Sequence, residues 1–242
     1  MILLEIFVAD AESLDAAIVG GADRIELCSA LELGGLSPGL GLLAHAQSAP
    51  IPVHIMVRPR SGDFCLTPTD IETMLAEIAQ IRAMGFPGIV LGANRPDSTL
   101  DTEALETLLD AATGLSTTLH RCFDLTPDKT AALETAIALG FDRVLTSGGA
   151  PNAVLGLAAL KTLTRQSAGR IGILPGSGIR ADTIDTLLPT LPVTEVHASS
   201  ALPHAQSAAA VAFGFTAGTR PLTSTDGVRA LRERLDALAI AL

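Results

Sequence analysis

The sequence predicts a single (β/α)8 barrel, the TIM-barrel fold, over residues 1–242, and three observations predict it. A helical pattern ends at a glycine turn, and a short apolar strand follows directly. This transition recurs at 20–29, 85–92 and 140–148. Strand and helix patterns alternate eight times with short connections, which is typical of right-handed βαβ units and a parallel sheet. Hydrophobic residues make up 48% of the chain and aromatic residues only 3%, a composition that suits helices packed on such a sheet.

The eight strands follow from short apolar runs. In the second strand, Ile25 and Leu27 alternate with Glu26 and Cys28, which is the period of an extended chain. An open, doubly wound sheet is the alternative, and it is disfavoured because no Gly-x-Gly-x-x-Gly motif follows the first strand. The strands are expected within 2–8, 20–29, 51–58, 88–93, 116–121, 142–147, 170–174 and 194–198.

The helices are bounded by capping residues and by proline. Pro38 lies in the first turn of the second helix, where its missing N–H costs nothing, and Thr67 to Asp70 caps the third helix. The helices are expected over 11–19, 37–47, 67–84, 101–112, 128–139, 152–167, 182–188 and 226–240. Residues 202–224 are rich in Ala, Gly and Thr, and we expect an irregular loop over the barrel there.

Charge and cysteine content exclude several classes of function. The formal net charge is −10, which argues against nucleic-acid and membrane-surface partners because both require a basic patch. Three cysteines are too few, and odd in number, for a disulfide framework. The first residues lack the basic region of a signal peptide, and no apolar run is long enough for a membrane helix. These features predict a cytoplasmic protein.

Strand parity places a set of ionisable side chains inside the barrel. Val53, Ile55 and Val57 suit the face that meets the helices, so His54 and Arg58 point inward. The same argument applied to the other strands gives an inward cluster of Glu5, Glu26, His54, Arg58, His120, Glu195 and His197. Catalytic residues lie at the strand ends in this fold, which favours Cys28, Arg58, His120 and His197, whereas Glu5, Glu26 and Glu195 sit lower. The candidate catalytic residues are His120, His197, Glu26 and Arg58. The alternative is an internal salt-bridge network that only fills the barrel.

The inward histidines and glutamates could also hold a divalent metal. No HxxxH, HExxH or CxxC spacing appears, and ligands scattered over strands leave no local signature, so the sequence leaves this open. For Cu(I), which prefers soft ligands, the inner face offers only Cys28, Cys122 and Met56.

Two glycine-rich loops predict an anion site at the mouth of the barrel. The loops after strands seven and eight often bind phosphate in this fold, and backbone N–H groups near glycine approach an anion closely. Arginines follow strands three and five, and they could clamp a carboxylate or phosphate. The predicted anion-binding residues are Arg60, Arg121, Thr146, Ser147, Gly148, Gly176, Ser177 and Gly178. The alternatives are tight turns without a ligand, and structural bridges from Arg60 and Arg121 to Asp63 and Asp124.

Several motifs together resemble the copper homeostasis protein CutC family. They are GADRIELCS at 21–29, RPRSGDF at 58–64, HRCFD at 120–124, DRVLTSG at 142–148, PGSGI at 175–179 and EVHAS at 195–199. The resemblance runs from Leu4 to about Ala201. It implies a cytoplasmic TIM barrel that self-associates, and a protein of copper homeostasis that binds Cu(I).

The chain departs from the family pattern at its cysteines. Phe7 stands where the family often has Cys, Cys122 where it usually has Ala, and Cys65 where it usually has Leu. Only Cys28 matches a family cysteine, so a thiol site for Cu(I) would combine Cys28 with Cys122 as a local substitute.

Two functions are therefore expected from the sequence. The resemblance implies a copper homeostasis protein with Cu(I) as its ligand. The residues at the barrel mouth favour an enzyme that acts on a small anionic or phosphorylated metabolite, with His120 or His197 as general acid or base.

Overall fold

The protein folds as a (β/α)8 barrel, which confirms the predicted fold class. The computed structural model describes residues 2–241, with side chains from 2 to 239. The strands of the barrel are β1 (Leu3–Val8), β2 (Arg24–Leu27), β3 (Val53–Met56), β4 (Gly88–Leu91), β5 (Ser116–Leu119), β6 (Arg143–Thr146), β7 (Gly172–Pro175) and β8 (Glu195–Ala198). They are parallel in the order β7-β6-β5-β4-β3-β2-β1-β8, and β7 and β8 lie side by side where the barrel closes.

Helices surround the barrel. They are α1 (Ala11–Gly20), α2 (Leu40–Ala46), α3 (Pro68–Ala83), α4 (Thr102–Ala111), α5 (Lys129–Leu139), α6 (Leu157–Ser167), α7 (Ile184–Leu187) and α9 (Thr225–Ala241). Three of them begin or end later than expected: α2 begins at Leu40, α6 at Leu157, and α7 is a single turn that continues as a 3₁₀ turn. None of the helices among residues 2–241 is long and apolar enough to cross a membrane.

Glycines at two helix ends produce the repeated helix-to-strand turn that the sequence shows. Gly21 ends α1 with φ 95° and Gly140 ends α5 with φ 84°, a left-handed conformation that glycine adopts without a steric penalty. The N–H of Gly21 bonds to carbonyls of the last turn of α1. The chain therefore reverses within a few residues, and β2 starts directly beside β1.

The main hydrophobic core lies between the strands and the surrounding helices. Ile6, Ile25, Ile55 and Ile89 are fully buried on the strand face that meets the helices. The opposite face lines the inside of the barrel, and there the buried residues include charged and polar groups such as Glu5. The parity argument therefore assigned the two faces correctly.

The expectation of an irregular loop at 202–224 is wrong. An antiparallel hairpin, β9 (Ala201–Ala205) and β10 (Thr219–Thr223), encloses a short helix, α8 (Ala208–Ala212). Pro203 lies opposite Pro221, which an isolated two-stranded sheet tolerates because each strand has a free edge. The alanine and glycine content of this segment hides the alternation that normally reveals a strand.

Candidate active site

Four charged residues form a network of ion pairs inside the barrel, in the order Glu5, Arg24, Glu195 and Arg143. The guanidinium of Arg24 donates from Nε to Glu5 and from Nη2 to Glu195 Oε2, the latter at 2.6 Å. Arg143 lies 3.5 Å from Glu195 Oε1 and donates to the hydroxyl of Thr118 at 3.1 Å. Burial alone would raise the pKa of Glu5, but Arg24 and the bonded His197 outweigh burial and lower it. This arrangement resembles the filled, salt-bridged interior that the sequence offered as an alternative.

The sequence reasoning did not identify Arg24 or Arg143. The sequence did contain a signal for Arg24. It precedes the inward Glu26 by two positions on the same strand, and side chains two positions apart lie on the same face. Arg143 likewise precedes Leu145, which lines the cavity at the barrel mouth.

Glu26 lies next to this network but is not part of it. His197 Nδ1 is 2.8 Å from Glu5 Oε1 and 3.9 Å from Glu26 Oε2. Glu26 Oε2 is buried and has no hydrogen-bond partner among the described residues. Burial raises the pKa of Glu26 to about 7, and the neighbouring charge of Glu5 acts in the same direction. Burial would lower the pKa of His197, but the two carboxylates outweigh it and raise that pKa.

Glu5, Glu26 and His197 are also the one group of three potential metal ligands found among the described residues, with ligand atoms within 4.8 Å of one another. Both oxygens of Glu5 are already engaged, one by Arg24 and the other by His197. A cation would have to displace these two donors, so the geometry favours an ion-pair network at this position.

Arg58 and His120 pack against Phe64. The guanidinium carbon of Arg58 is 4.8 Å from the centroid of the Phe64 ring, and the His120 ring centroid is also 4.8 Å from it. Burial lowers the pKa of His120 to about 3, and the charge of Arg58 contributes. A Cβ on Gly92 would lie 2.5 Å from the His120 ring, so glycine at this position of the neighbouring strand leaves room for the imidazole.

The side-chain hydrogen bonds of Arg58 all go to backbone carbonyls. Nη1 donates to Leu33 O at 2.8 Å and to Gly35 O at 3.0 Å, and Nη2 donates to Gly62 O at 2.8 Å. Residues 2–239 place no carboxylate within salt-bridge distance of this guanidinium. The side chain is 7% exposed, so its positive charge is buried and uncompensated.

These groups meet at a cavity of about 880 Å³ at the carboxyl ends of the strands. This is where catalytic residues lie in TIM-barrel enzymes. The predicted site residues that line it are Glu26, Arg58, His120, Arg121, Ser177, Gly178 and His197. The hairpin strand β9 covers one side through Ala201, Leu202 and Pro203.

The remaining predicted anion-binding residues do not line this cavity. They are Arg60, Thr146, Ser147, Gly148 and Gly176. Arg60 is paired with Asp70 at 3.0 Å and lies 3.4 Å from Asp63. Arg60 therefore does not meet the glycine-rich loops as expected, because its guanidinium is paired with Asp63 of its own loop and with Asp70 of α3.

The carboxylate of Asp124, a residue of the turn after β5, binds in the loop after β6. Its carboxylate accepts from Thr146 Oγ1 at 2.5 Å, from the Ser147 N–H at 3.1 Å and from the Gly149 N–H at 2.9 Å. It also accepts from Arg121 Nε at 2.8 Å. Three of the residues that the sequence assigned to a bound anion, Arg121, Thr146 and Ser147, are thus engaged by a carboxylate of the protein itself.

The two cysteines predicted to bind copper are buried and lie in different hydrophobic clusters. Cys28 packs with Met56 and Val90, and its thiol donates to Val8 O at 3.3 Å. Cys122 belongs to the main core. Burial raises the pKa of both thiols. Neither cysteine joins a group of three potential ligands within the described part of the chain.

Comparisons with known proteins point to one family. The model of the CutC family matches residues 2–202. A family protein CutC from Rhizobium meliloti (strain 1021) is 50% identical over 239 residues, which cover 98% of each chain. The human copper homeostasis protein cutC homolog is 44% identical over 199 residues, 82% of this chain and 73% of the human one. The crystal structure of CutC from Streptococcus agalactiae has a TM-score of 0.78 at 29% identity and covers 82% of this chain and 99% of that one.

Proposed function

The chain belongs to the CutC family, and we propose that it is an enzyme that acts on a small anionic metabolite in the cavity at the barrel mouth. One observation carries this proposal. Arg58 is buried at the cavity, and no carboxylate among the described residues neutralises it. A buried charge without a partner is unfavourable, so a bound anion would complete the site.

The other arginines of the cavity wall differ from Arg58 in this respect. Arg121 is paired with Asp124 at 2.8 Å, and Arg180 lies 3.3 Å from Asp182. Their charges are already balanced within the protein. Arg58 is therefore the residue that we assign to the anionic group of the substrate, through a charge-assisted contact.

Glu26 supplies acid–base chemistry beside this anion site. A carboxyl with a pKa of about 7 exchanges its proton near neutral pH, which suits a general acid or base. His197 lies 3.9 Å from its free oxygen and is held by Glu5, so we assign His197 to positioning and charge balance of Glu26.

Thermal unfolding in the presence of inorganic phosphate, sulfate or pyruvate tests the anion site. A ligand that binds only the folded state raises the melting temperature. We expect Arg58→Gln to weaken the apparent affinity tenfold or more, because a charge-assisted hydrogen bond contributes about 1.5–3 kcal/mol. Arg165→Gln, an exposed arginine of α6, is the matched control and should bind as the wild type does.

Arg58→Lys keeps the charge and separates loss of binding from loss of folding. It should bind the anions more tightly than Arg58→Gln at equal stability. Equal affinity in the wild type and in a folded Arg58→Gln protein would refute the anion site.

The name of the human relative favours Cu(I) binding as a second candidate function. Cys28 is the expected thiol, with Cys122 contributing, and Met56 beside Cys28 offers a soft thioether. Both thiols are buried with raised pKa values, so Cu(I) would have to displace two protons.

Anaerobic competition with a Cu(I) chelator tests this candidate. The double variant Cys28→Ser, Cys122→Ser should lose tight binding while the control Cys65→Ser keeps it, and unchanged affinity in the double variant would rule the thiol site out.

A homo-oligomer and a cytoplasmic location remain part of the proposal. Phe213 and Phe215 stack on each other with centroids 6.1 Å apart, and they are 78% and 83% exposed. Exposed aromatic pairs of this kind are typical of interaction surfaces, and here we assign them to contact with a second copy. Sedimentation velocity should show the double variant Phe213→Ser, Phe215→Ser as a smaller species than the wild type.

A further inference from the structure

Three residues of the cavity wall each carry one buried polar atom without a partner among the described residues. These atoms are Glu26 Oε2, Arg58 Nε and His120 Nε2. Buried polar groups in folded proteins are satisfied in the great majority of cases, so three exceptions on one cavity need an explanation. Their chemistry is complementary: one carboxyl oxygen and two nitrogen groups belong to residues that line the same cavity.

The hydrogen bonds of His120 determine what its free nitrogen can do. His120 Nδ1 accepts a hydrogen bond from the backbone N–H of Cys122 at 3.2 Å. A nitrogen that accepts carries no proton, so the neutral ring has its proton on Nε2. The low pKa of about 3 agrees with a neutral ring at physiological pH. His120 is therefore a fixed hydrogen-bond donor, and of the expected role as general acid or base this geometry suits only the acid or donor part.

A neutral imidazole donor and a carboxyl base on the wall of one cavity suit one class of chemistry. An imidazole N–H stabilises negative charge that develops on an oxygen, as in enolate formation. The base in such a reaction removes a proton from the carbon beside the carbonyl group. Arg58 adds the site for an anionic substituent, and a cavity of about 880 Å³ accommodates a small metabolite.

We propose that the substrate is a small anionic carbonyl compound, and that the site catalyses proton transfer at the carbon next to its carbonyl group. This inference rests on the proposed function and specifies the substrate class of the same cavity. His120 Nε2–H binds the carbonyl oxygen, Arg58 binds the anionic group, and Glu26 is the base.

The step balances without a cofactor. Glu26 Oε2 takes the proton from carbon, and the electron pair of the broken C–H bond forms a C=C bond. The π electrons of the carbonyl move to its oxygen, where His120 Nε2–H stabilises the enolate. The protonated Glu26 then returns a proton to the same carbon, and the carbonyl group re-forms.

Hydrogen–deuterium exchange on carbon tests this directly. Hydroxyacetone phosphate and pyruvate are incubated with the protein in D2O, and proton NMR follows the C–H signals beside the carbonyl group. We expect the wild type to exchange at least one of them faster than buffer does. Glu26→Gln should reduce the rate at least a hundredfold, which is within the usual contribution of a general base. Glu103→Gln, on the exposed first turn of α4, should exchange at the wild-type rate.

Removal of the donor gives a second measurement. His120→Leu, which has no N–H donor, should reduce exchange by about a hundredfold, the effect of losing one hydrogen bond to a developing oxyanion. It should also weaken calorimetric binding of phosphoglycolohydroxamate, a planar mimic of an enediolate. His45→Leu, at an exposed histidine of α2, is the control.

A ¹⁵N spectrum of the wild-type protein keeps the donor assignment testable even if His120→Leu fails to fold. His120 should show the neutral tautomer with its proton on Nε2 throughout pH 5–8. A proton on Nδ1, or a titration within that range, would overturn the donor role.

The outcomes separate this inference from the proposed function. If the probes bind and depend on Arg58, but wild-type protein exchanges no carbon-bound proton, the carbonyl chemistry is overturned and the anion site stands. If no probe, phosphate or sulfate binds at all, both are overturned.

Discussion

Two groups of charged side chains share the inside of this barrel, and they differ in how completely their hydrogen bonds are used. In the network of Glu5, Arg24, Arg143 and Glu195, guanidinium and carboxylate groups meet directly. Of these four, only Arg143 keeps a buried polar atom, Nε, without a hydrogen-bond partner within the described residues. At the mouth, by contrast, Glu26, Arg58 and His120 each keep one. The same residue types thus occur in both places. The difference suggests that the network holds the barrel together and that the mouth is prepared for a ligand.

The pKa directions make the same distinction. Glu5 and Glu26 are both buried carboxyls, and burial acts on both in the same direction. Arg24 and His197 reverse the effect for Glu5, whereas Glu26 stays raised to about 7. Pairing therefore fixes Glu5 as a carboxylate, and the lack of a bonded partner leaves Glu26 able to exchange its proton near neutral pH.

The largest effect should come from breaking the paired network. Arg24→Ala leaves Glu5 and Glu195 without their shared partner, and truncating a buried ion pair costs about 3–5 kcal/mol. We expect that loss in the free energy of unfolding measured in urea. Arg229→Ala removes a guanidinium paired with Asp226 at the surface and should change stability by less than about 1 kcal/mol.

A double-mutant cycle sharpens this test. Adding Glu5→Gln to Arg24→Ala should recover part of the lost stability, because it removes one of the two uncompensated charges. Additive effects would show that Arg24 and Glu5 do not depend on each other, and the network would lose its structural role.

Asp124 should give the next largest effect. Asp124→Ala removes a carboxylate that accepts from Ser147 N and Gly149 N, and it leaves these donors unsatisfied. We expect a loss of about 1.5–3 kcal/mol in the free energy of unfolding. Sodium formate should restore part of it by binding in the vacated position, with the effect read from the melting temperature.

Asp226→Ala is the control, because Asp226 is exposed and its carboxylate is bonded only to Arg229. Formate should raise the melting temperature of Asp124→Ala more than that of the control. An equal rise in both variants would contradict the idea that Asp124 fills an anion-binding loop.

The sequence predicted the faces of the strands well and the partners of the side chains poorly. Parity alone placed Glu5, Glu26 and His197 inside the barrel, because alternation is a local property of a strand. The pairing of Arg24 with Glu195 depends on which strands become neighbours when the barrel closes, and it spans 171 positions of the chain. Such contacts leave no local pattern to detect.

The candidate anion site shows the same limit. Glycine and hydroxyl residues after β6 correctly indicated a loop rich in N–H donors. They could not indicate that Asp124, more than 20 residues earlier, fills it. The hairpin at 201–223 escaped prediction for a different reason, since its small residues and two prolines carry no strand periodicity.

The pH dependence of stability should separate Glu26 from Glu5. Burial raises the folded pKa of Glu26 from 4.5 to about 7, so its stabilising contribution is complete below pH 4.5 and is lost as the pH rises to about 7. Relative to Glu26→Gln, the wild type should lose up to about 1.4 kcal/mol per pH unit over that interval. Urea unfolding at pH 4.5, 5.5, 6.5 and 7.5 measures the difference.

Glu103→Gln provides the baseline for this series. The pKa of His197 also changes in Glu26→Gln, because Glu26 is one of the two carboxylates that raise it, so the difference reports Glu26 together with His197. A carboxyl of the paired type, with a lowered pKa, changes stability only below about pH 4.5 and would leave the difference nearly constant over this series. A constant difference would place Glu26 in the network and remove it from the proposed acid–base role.

The smallest effect is expected at Arg60, which tests whether pairing alone tells the two kinds of arginine apart. Arg60 is two positions from Arg58, but it is bound to Asp70 at 3.0 Å and is absent from the cavity wall. Arg60→Ala should lower the free energy of unfolding by at most about 1 kcal/mol, because the pair is partly exposed. Asp70 also caps α3 through Thr67, and that interaction remains in the variant.

Phosphate and pyruvate should stabilise Arg60→Ala as they stabilise the wild type, while Arg58→Gln loses the effect. Equal loss of anion binding in both variants would show that the loop after β3 acts as one clamp, and that an arginine paired in this structure can still serve the ligand.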